Sequence, residues 1–383
     1  MNTPVLKSRL PDAGTTIFTT MSALAQQHEA VNLGQGFPDF GCDPALLAHV
    51  HDAMAEGLNQ YPPMPGVPLL RERVAAKALA LYGHSYNPAT EVTVTAGATQ
   101  AILTAVLACV HPGDEVLVLE PCFDSYGPNI ELAGGVAVRV PLTPGSFRPD
   151  FERIGQALSA RTRLVIVNSP HNPSATVWTR ADYNQLAALL EGTDTLVISD
   201  EVYEHMVFDG LPHVSAASVP ALAARAFVVS SFGKTYHVTG WKVGYVLAPT
   251  PLSAEFRKVH QFNVFTVNTP MQHALARYME SATPYLELSA FYQRKRDLFA
   301  EGLRKTRLRP LHTQGSYFQL VDYGAVSSLS EAAFCEWLTR EIGVAAIPLS
   351  AFYDQNYEQG LVRLCFAKRD DTLEKALQRL ARL

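Results

Sequence analysis

The sequence predicts an α/β protein, with a large domain built on a mostly parallel seven-stranded sheet between helices and a smaller α+β domain after it. Three observations carry that reading. Between about residue 90 and residue 250, short β-branched runs alternate with stretches of helical period, the signature of βαβ units. Several strand candidates are nearly all apolar, as Leu196-Val197-Ile198 is, which suits strands covered on both faces by helices. After about residue 280 the alternation stops, and a long amphipathic helix leads into short strands separated by helices.

Taken in order, residues 1–45 hold Pro4, Pro11, Pro38 and Pro44 and little sustained periodicity. An arm and a segment lining the site, part of the small domain, are expected there. The large domain is expected over 46–280, with strands at 92–95, 116–119, 136–140, 164–167, 196–199, 227–230 and 243–247. The small domain, over 281–383, should begin with a helix through 292–303 and continue with strands near 317–321 and 362–366 and helices at 331–342 and 372–380. No internal repeat or low-complexity stretch interrupts this order.

With 383 residues, 48% hydrophobic and 17% charged, the chain can bury a core larger than one domain needs. A formal charge of −5 and the lack of any basic run exclude a field for holding a phosphate backbone, so nucleic acid is not an expected partner. The start, MNTPVLKSRLPDAG, has no apolar core, and the longest apolar run, 101–110, is too short to span a bilayer. A cytoplasmic protein without a membrane partner is expected. Cys42, Cys109, Cys122, Cys335 and Cys365 are odd in number and contain no CxxC pair, so they read as reduced thiols, and no metal site is expected.

In an open α/β sheet, ligands bind outside the carboxyl ends of the strands, so the residues that follow each strand matter most. After 92–95 comes Ala96-Gly97-Ala98-Thr99-Gln100, a small-residue turn opening a helix, which can hold an anion on free N–H groups or be a plain strand-to-helix turn. After 164–167 comes Asn168-Ser169-Pro170-His171-Asn172-Pro173, an irregular turn that can contain a cis peptide bond and projects Asn172 into the cleft. After 196–199 come Asp200, Glu201 and Tyr203; a carboxylate at the end of a buried strand needs a cation, unless it merely caps the next helix. After 227–230 come Ser231-Phe232-Gly233-Lys234, and then Lys242. A lysine there, desolvated beside a second cation, becomes a usable amine nucleophile, whereas an ordinary loop lysine would be inert. Together these groups describe one ligand with a phosphate, a phenolic oxygen, a pyridinium nitrogen and an aldehyde, the parts of pyridoxal phosphate.

At this point the chain resembles the class I aminotransferases of fold type I from Val31 onward. The most specific pieces are Ser230-Ser231-Phe232-Gly233-Lys234-Thr235-Tyr236-His237, the Asn168 to Pro173 turn, and Val31-Asn32-Leu33-Gly34-Gln35-Gly36-Phe37-Pro38-Asp39-Phe40. They look most like the branch of the methionine, kynurenine and glutamine aminotransferases. The resemblance implies pyridoxal 5′-phosphate as cofactor, Lys234 as the Schiff-base lysine and proton carrier, Asp200 on the pyridinium N–H, and Tyr203 and Asn172 on the phenolic oxygen. Phe123 would stack on the ring. Ala98, Thr99, Ser231 and Lys242 would bind the phosphate, with Tyr61 reaching it from a second subunit. Most relatives in the wider family carry Arg where Lys242 stands, so a looser phosphate contact is implied.

For the substrate, the resemblance makes Arg363 the clamp on the α-carboxylate, helped by the backbone of Gly36 and the amide of Asn172. Phe18, Phe123 and, across a dimer interface, Phe265 would line the side-chain pocket. With no second arginine for a distal carboxylate, methionine leads as amino donor, followed by aromatic amino acids, histidine, glutamine or kynurenine, with a 2-keto acid as acceptor. A homodimer with shared sites follows from Tyr61 and Phe265. A β-eliminating lyase acting on cysteine conjugates would share these residues; a regulatory or binding protein that keeps the fold without turnover is the rival of another class, and the intact Lys234, Asp200 and Arg363 argue against it.

Overall fold

The computed structural model describes residues 6–383, and residues 1–5 of the expected arm lie outside them. All seven expected strands form one sheet, in the spatial order Val92–Thr95, Gly244–Leu247, Ala226–Ser231, Leu196–Asp200, Thr162–Asn168, Glu115–Glu120, Val136–Pro141. Gly244–Leu247 runs antiparallel to both neighbours, and the remaining pairs are parallel. The Ala226–Ser231 strand is buried along its whole length, as a central strand covered on both faces must be. Its side chains alternate between two cores: Phe227 and Val229 meet Ala101, Ile102 and Ala105 in one, and Ala226 and Val228 belong to the other. Val136–Pro141, at the sheet edge, is mostly half-exposed.

Helices start where local chemistry satisfies their free N–H groups. Arg180–Leu189 opens with a capping box, Thr179 and Asp182 each accepting from the other's backbone. Gly97–Cys109 has no side-chain cap, which leaves its first N–H groups at the carboxyl end of Val92–Thr95.

Toward the C-terminus, Leu288–Arg304 forms the long helix, and Phe318–Asp322 pairs antiparallel with Leu361–Cys365, with Leu320 opposite Arg363. The helix expected at 331–342 runs as Glu331–Trp337 and then widens into a π-helical turn over Leu338–Ile342. The first 45 residues are more regular than expected: Ile17–Gln27 is a helix capped by the Thr16 hydroxyl, which accepts from Thr19 N. Its stripe of Ile17, Phe18, Met21 and Leu24 has helical spacing and packs into the main core, and Ala25 is buried as well. Val31–Asn32 pairs in parallel with Val344–Ala345, tying this segment to the C-terminal region. No helix among the described residues is long and apolar enough to cross a membrane.

Candidate active site

The carboxyl ends of the parallel strands open into a cavity of about 370 Å³. Because Gly244–Leu247 is antiparallel, its amino end lies at this same edge, which brings Lys242 to the cavity beside Lys234. Lys234 stands on the single helical turn Phe232–Thr235 that follows the Ala226–Ser231 strand. Its Nζ donates to Tyr317 Oη at 2.8 Å and to Gly36 O at 3.1 Å. Burial lowers the amine's pKa to about 8, and the Lys242 and Arg363 cations push the same way.

Asp200 ends its strand and is buried. One carboxylate oxygen accepts from Tyr126 Oη at 2.6 Å, and the other from Val202 N at 3.3 Å. Burial raises its pKa to about 6, and no Lys or Arg is paired with it among the described residues. Asn168 braces this corner, donating to Asp200 O at 2.8 Å and accepting from Asn172 N at 2.8 Å. The turn it begins contains cis bonds at Ser169-Pro170 and Asn172-Pro173.

Arg363 is 2% exposed, yet no carboxylate is paired with it among the described residues. Its Nη1 donates to Asn172 Oδ1 at 2.6 Å and its Nη2 to Gly34 O at 3.0 Å, while Nε has no partner. The guanidinium lies 3.9 Å from the Phe318 ring centroid. A buried cation held only by neutral oxygens and aromatic faces is an anion site. Burial also lowers its pKa to about 10.

A second anion site is built from Ala98 and Thr99 at the start of their helix, Ser231 and Lys242. Gly97 has φ +77°, and a Cβ there would sit 3.2 Å from Lys242 Nζ, so the turn requires glycine. At Gly244 a Cβ would come within 2.7 Å of Ser230 O and 3.1 Å of Ala98 N, so this strand can press against the turn only without a side chain.

Phe18 and Phe123 line the cavity, and the Tyr203 ring is buried in its wall, 5.0 Å from that of Tyr317. Twelve of the expected site residues therefore meet around one space, Gly36 and Asn172 included. Tyr61 and Phe265 do not line it: they lie edge to edge, ring centroids 5.4 Å apart, at 83% and 41% exposure.

Sequence reading missed four contributors: Tyr126, Asn168, Gly34 and Tyr317. Tyr126 follows the Glu115–Glu120 strand, and inspecting every strand end for a phenol would have found it. Tyr317 precedes the Phe318–Asp322 strand, which lies in a separate four-stranded sheet, and carries no local signal of its reach.

The family described as aminotransferase class I and II matches residues 28–380. The chain is 52% identical to methionine aminotransferase of Escherichia coli strain K12 over 100% of both chains. Superposed on the crystal structure of that E. coli protein, it gives a TM-score of 0.98, again over 100% of both. It is 41% identical to a probable N-succinyldiaminopimelate aminotransferase of Mycobacterium tuberculosis, covering 98% of this chain and 97% of that one. With human kynurenine–oxoglutarate transaminase 1 the identity is 35%, over 93% of each.

Proposed function

Because the chain belongs to the class I and II aminotransferases, we propose that Lys234 holds its cofactor and moves the proton, and that methionine is the preferred amino donor. It is an aminotransferase of fold type I and depends on pyridoxal 5′-phosphate. When bound, that cofactor supplies the electron sink that makes the amino acid's Cα–H acidic.

The residues present fit the group. The glycine-lined turn at Gly97, with Ala98, Thr99, Ser231 and Lys242, suits its phosphate. Asp200, buried without a cation, suits a pyridinium N–H, and Tyr126 holds the carboxylate in place. Tyr203 and Asn172 would serve the phenolic oxygen, with Phe123 against the ring. With its pKa lowered to about 8, Lys234 has roughly a tenth of its amine neutral at pH 7, far more than an ordinary lysine, as a nucleophile and base requires.

One observation carries the substrate reading. Among the described residues Arg363 is the one arginine lining the cavity; held by Asn172 and Gly34 with its Nε unpartnered, it would meet one carboxylate, with Asn172 and Gly36 helping, while Phe18 and Phe123 leave the remaining wall aromatic. A second carboxylate would have no guanidinium to meet and would face Asp124 at the mouth. Its burial would cost several kcal/mol. A thioether meets aromatic faces favourably. Aromatic amino acids, histidine, glutamine and kynurenine fall within the same reading, with a 2-keto acid as acceptor. Each relative named above is an aminotransferase or transaminase, which favours transfer over β-elimination.

The proposed active species is a homodimer in which Tyr61 and Phe265 complete the partner's site; their exposure and mutual contact support it. Division into an arm at 1–45, a large domain at 46–280 and a small domain at 281–383 belongs to the same reading, and the pairing of Val31–Asn32 with Val344–Ala345 favours grouping the arm with the small domain. Five free thiols suit the reducing cytoplasm.

A panel of amino donors, followed by the absorbance change of the cofactor in single half-reactions, tests the substrate reading. Methionine should react fastest and aspartate and glutamate slowly. Dicarboxylic amino acids reacting as fast as methionine would sink it.

A further inference from the structure

Tyr317 immediately precedes the Phe318–Asp322 strand, outside the large sheet, yet its hydroxyl lies 2.8 Å from Lys234 Nζ. The same hydroxyl lies 2.5 Å from Gly36 O. Tyr317 has one O–H hydrogen. If it were given to Lys234, two oxygens would face each other at 2.5 Å with no hydrogen between them. Tyr317 therefore donates to Gly36 O, and its own oxygen accepts from Lys234. Gly36 O, 3.1 Å from Nζ, accepts a second N–H of the same amine.

A neutral amine has two N–H bonds and one lone pair. Here both N–H bonds are drawn to the side occupied by Tyr317 and Gly36, so the lone pair is turned toward the open cavity. We propose that Tyr317 is a positioning residue that aims the Lys234 lone pair at the carbon from which the proton is taken. This rests on Lys234 being the proton-moving amine. The phenol is itself fixed: Tyr317 is 0% exposed, and the rings of Tyr203, Tyr292 and Phe318 surround it with centroids 5.0, 5.8 and 4.9 Å away. The other groups that bear on the amine are Asp200, Cys365, Lys242 and Arg363, together with the Tyr203 ring 5.8 Å off; of these Tyr203, whose hydroxyl faces that of Tyr317, also loses a neighbour in a Tyr317→Phe protein.

Competitive acetylation of the full-length, cofactor-free protein with acetic anhydride across pH, read at Lys234 by peptide mass spectrometry, measures the amine's titration directly. Tyr317→Phe removes an oxygen that accepts from the ammonium, so the midpoint should move to lower pH by roughly one pH unit. In the holoenzyme the same variant should lose about tenfold or more in kcat, with an enlarged isotope effect for α-deuterated methionine and a KM little changed. Tyr292→Phe disturbs the same ring cluster but removes a hydroxyl that has no partner, and it should titrate and turn over like wild type.

An unchanged midpoint and isotope effect in Tyr317→Phe would overturn the positioning role, as would an equal shift in Tyr292→Phe. Borohydride reduction of the holoenzyme separates this from its premise. A pyridoxyl tag on Lys234 keeps the premise whatever Tyr317 does, and a tag on another lysine removes both.

Discussion

Asp200 and Arg363 are buried and Lys234 half-buried around one cavity, and among the described residues none of the three is paired with an opposite charge. Asp200 gives a prediction whose sign can be worked out. Its carboxyl stands near 6 in the folded, cofactor-free protein, above the ordinary 3.8, chiefly because of burial. Such a group contributes stability that is fully present below about pH 4 and is lost as pH rises through about 6. Asp200→Asn cannot ionise, so at pH 8 the cofactor-free variant should be more stable than wild type, by up to about 3 kcal/mol, and near pH 4 the two should unfold together. Thermal unfolding at both pH values checks it. With cofactor bound, the same variant should lose turnover far more than cofactor content, because the ring nitrogen loses its counter-charge. Lys234→Ala should keep its fold by circular dichroism and lose transamination; activity within about tenfold of wild type would contradict the assignment. Arg363→Lys should lower kcat/KM for methionine by about a hundredfold, since a point charge cannot reproduce the bidentate fork. Lys234 and Asp200 were legible in sequence because each stands just after a strand candidate, whereas Arg363, inside a strand, was reached only through the family resemblance. Tyr317 was not, because its contact with Lys234 joins elements that no local pattern relates.

The turn at Gly97 is where an element's geometry meets the site. Gly97→Ala forces a side chain into φ +77° and against Lys242, so it should destabilise the protein by roughly 1 kcal/mol. It should also weaken cofactor retention more than its effect on folding explains; dialysis of the holoenzyme, compared with the unfolding temperature, separates the two. The strands were readable because burial on both faces writes continuous apolar runs, as Leu196-Val197-Ile198 shows. Their ends moved by a residue or two, because hydrogen bonding and not hydropathy decides them: Leu196–Asp200 includes the aspartate itself. The helix Ile17–Gln27 is not expected from the sequence although its apolar stripe is regular, because the prolines on either side are turn signals. The antiparallel run of Gly244–Leu247 left no mark in the sequence, because pairing direction does not change which residues are apolar, yet it is what sets Lys242 beside Lys234.

At the scale of the whole molecule, Tyr61 and Phe265 are the residues that one chain does not use itself. If they complete a partner's site, mixing Lys234→Ala with Tyr61→Phe should give hybrid dimers in which one site carries both defects and the other neither. Activity should then rise above either parent; no recovery in proven heterodimers, when Tyr61→Phe alone is impaired, would rule out shared sites. The clamp on Arg363 has a different consequence, in the order of events during synthesis. Arg363 reaches back to Gly34, 329 positions earlier in the chain, whereas Lys234, Asp200 and the Gly97 turn all belong to a sheet whose last strand ends at Leu247. A ribosome will have released every strand of that sheet while residue 363 is still unmade. If the Gly97 turn holds the phosphate and Arg363 the substrate, the nascent protein forms the first pocket early and gains its grip on an amino acid only when the last fifth of the polypeptide has emerged and folded home, so turnover would not begin on a half-built scaffold.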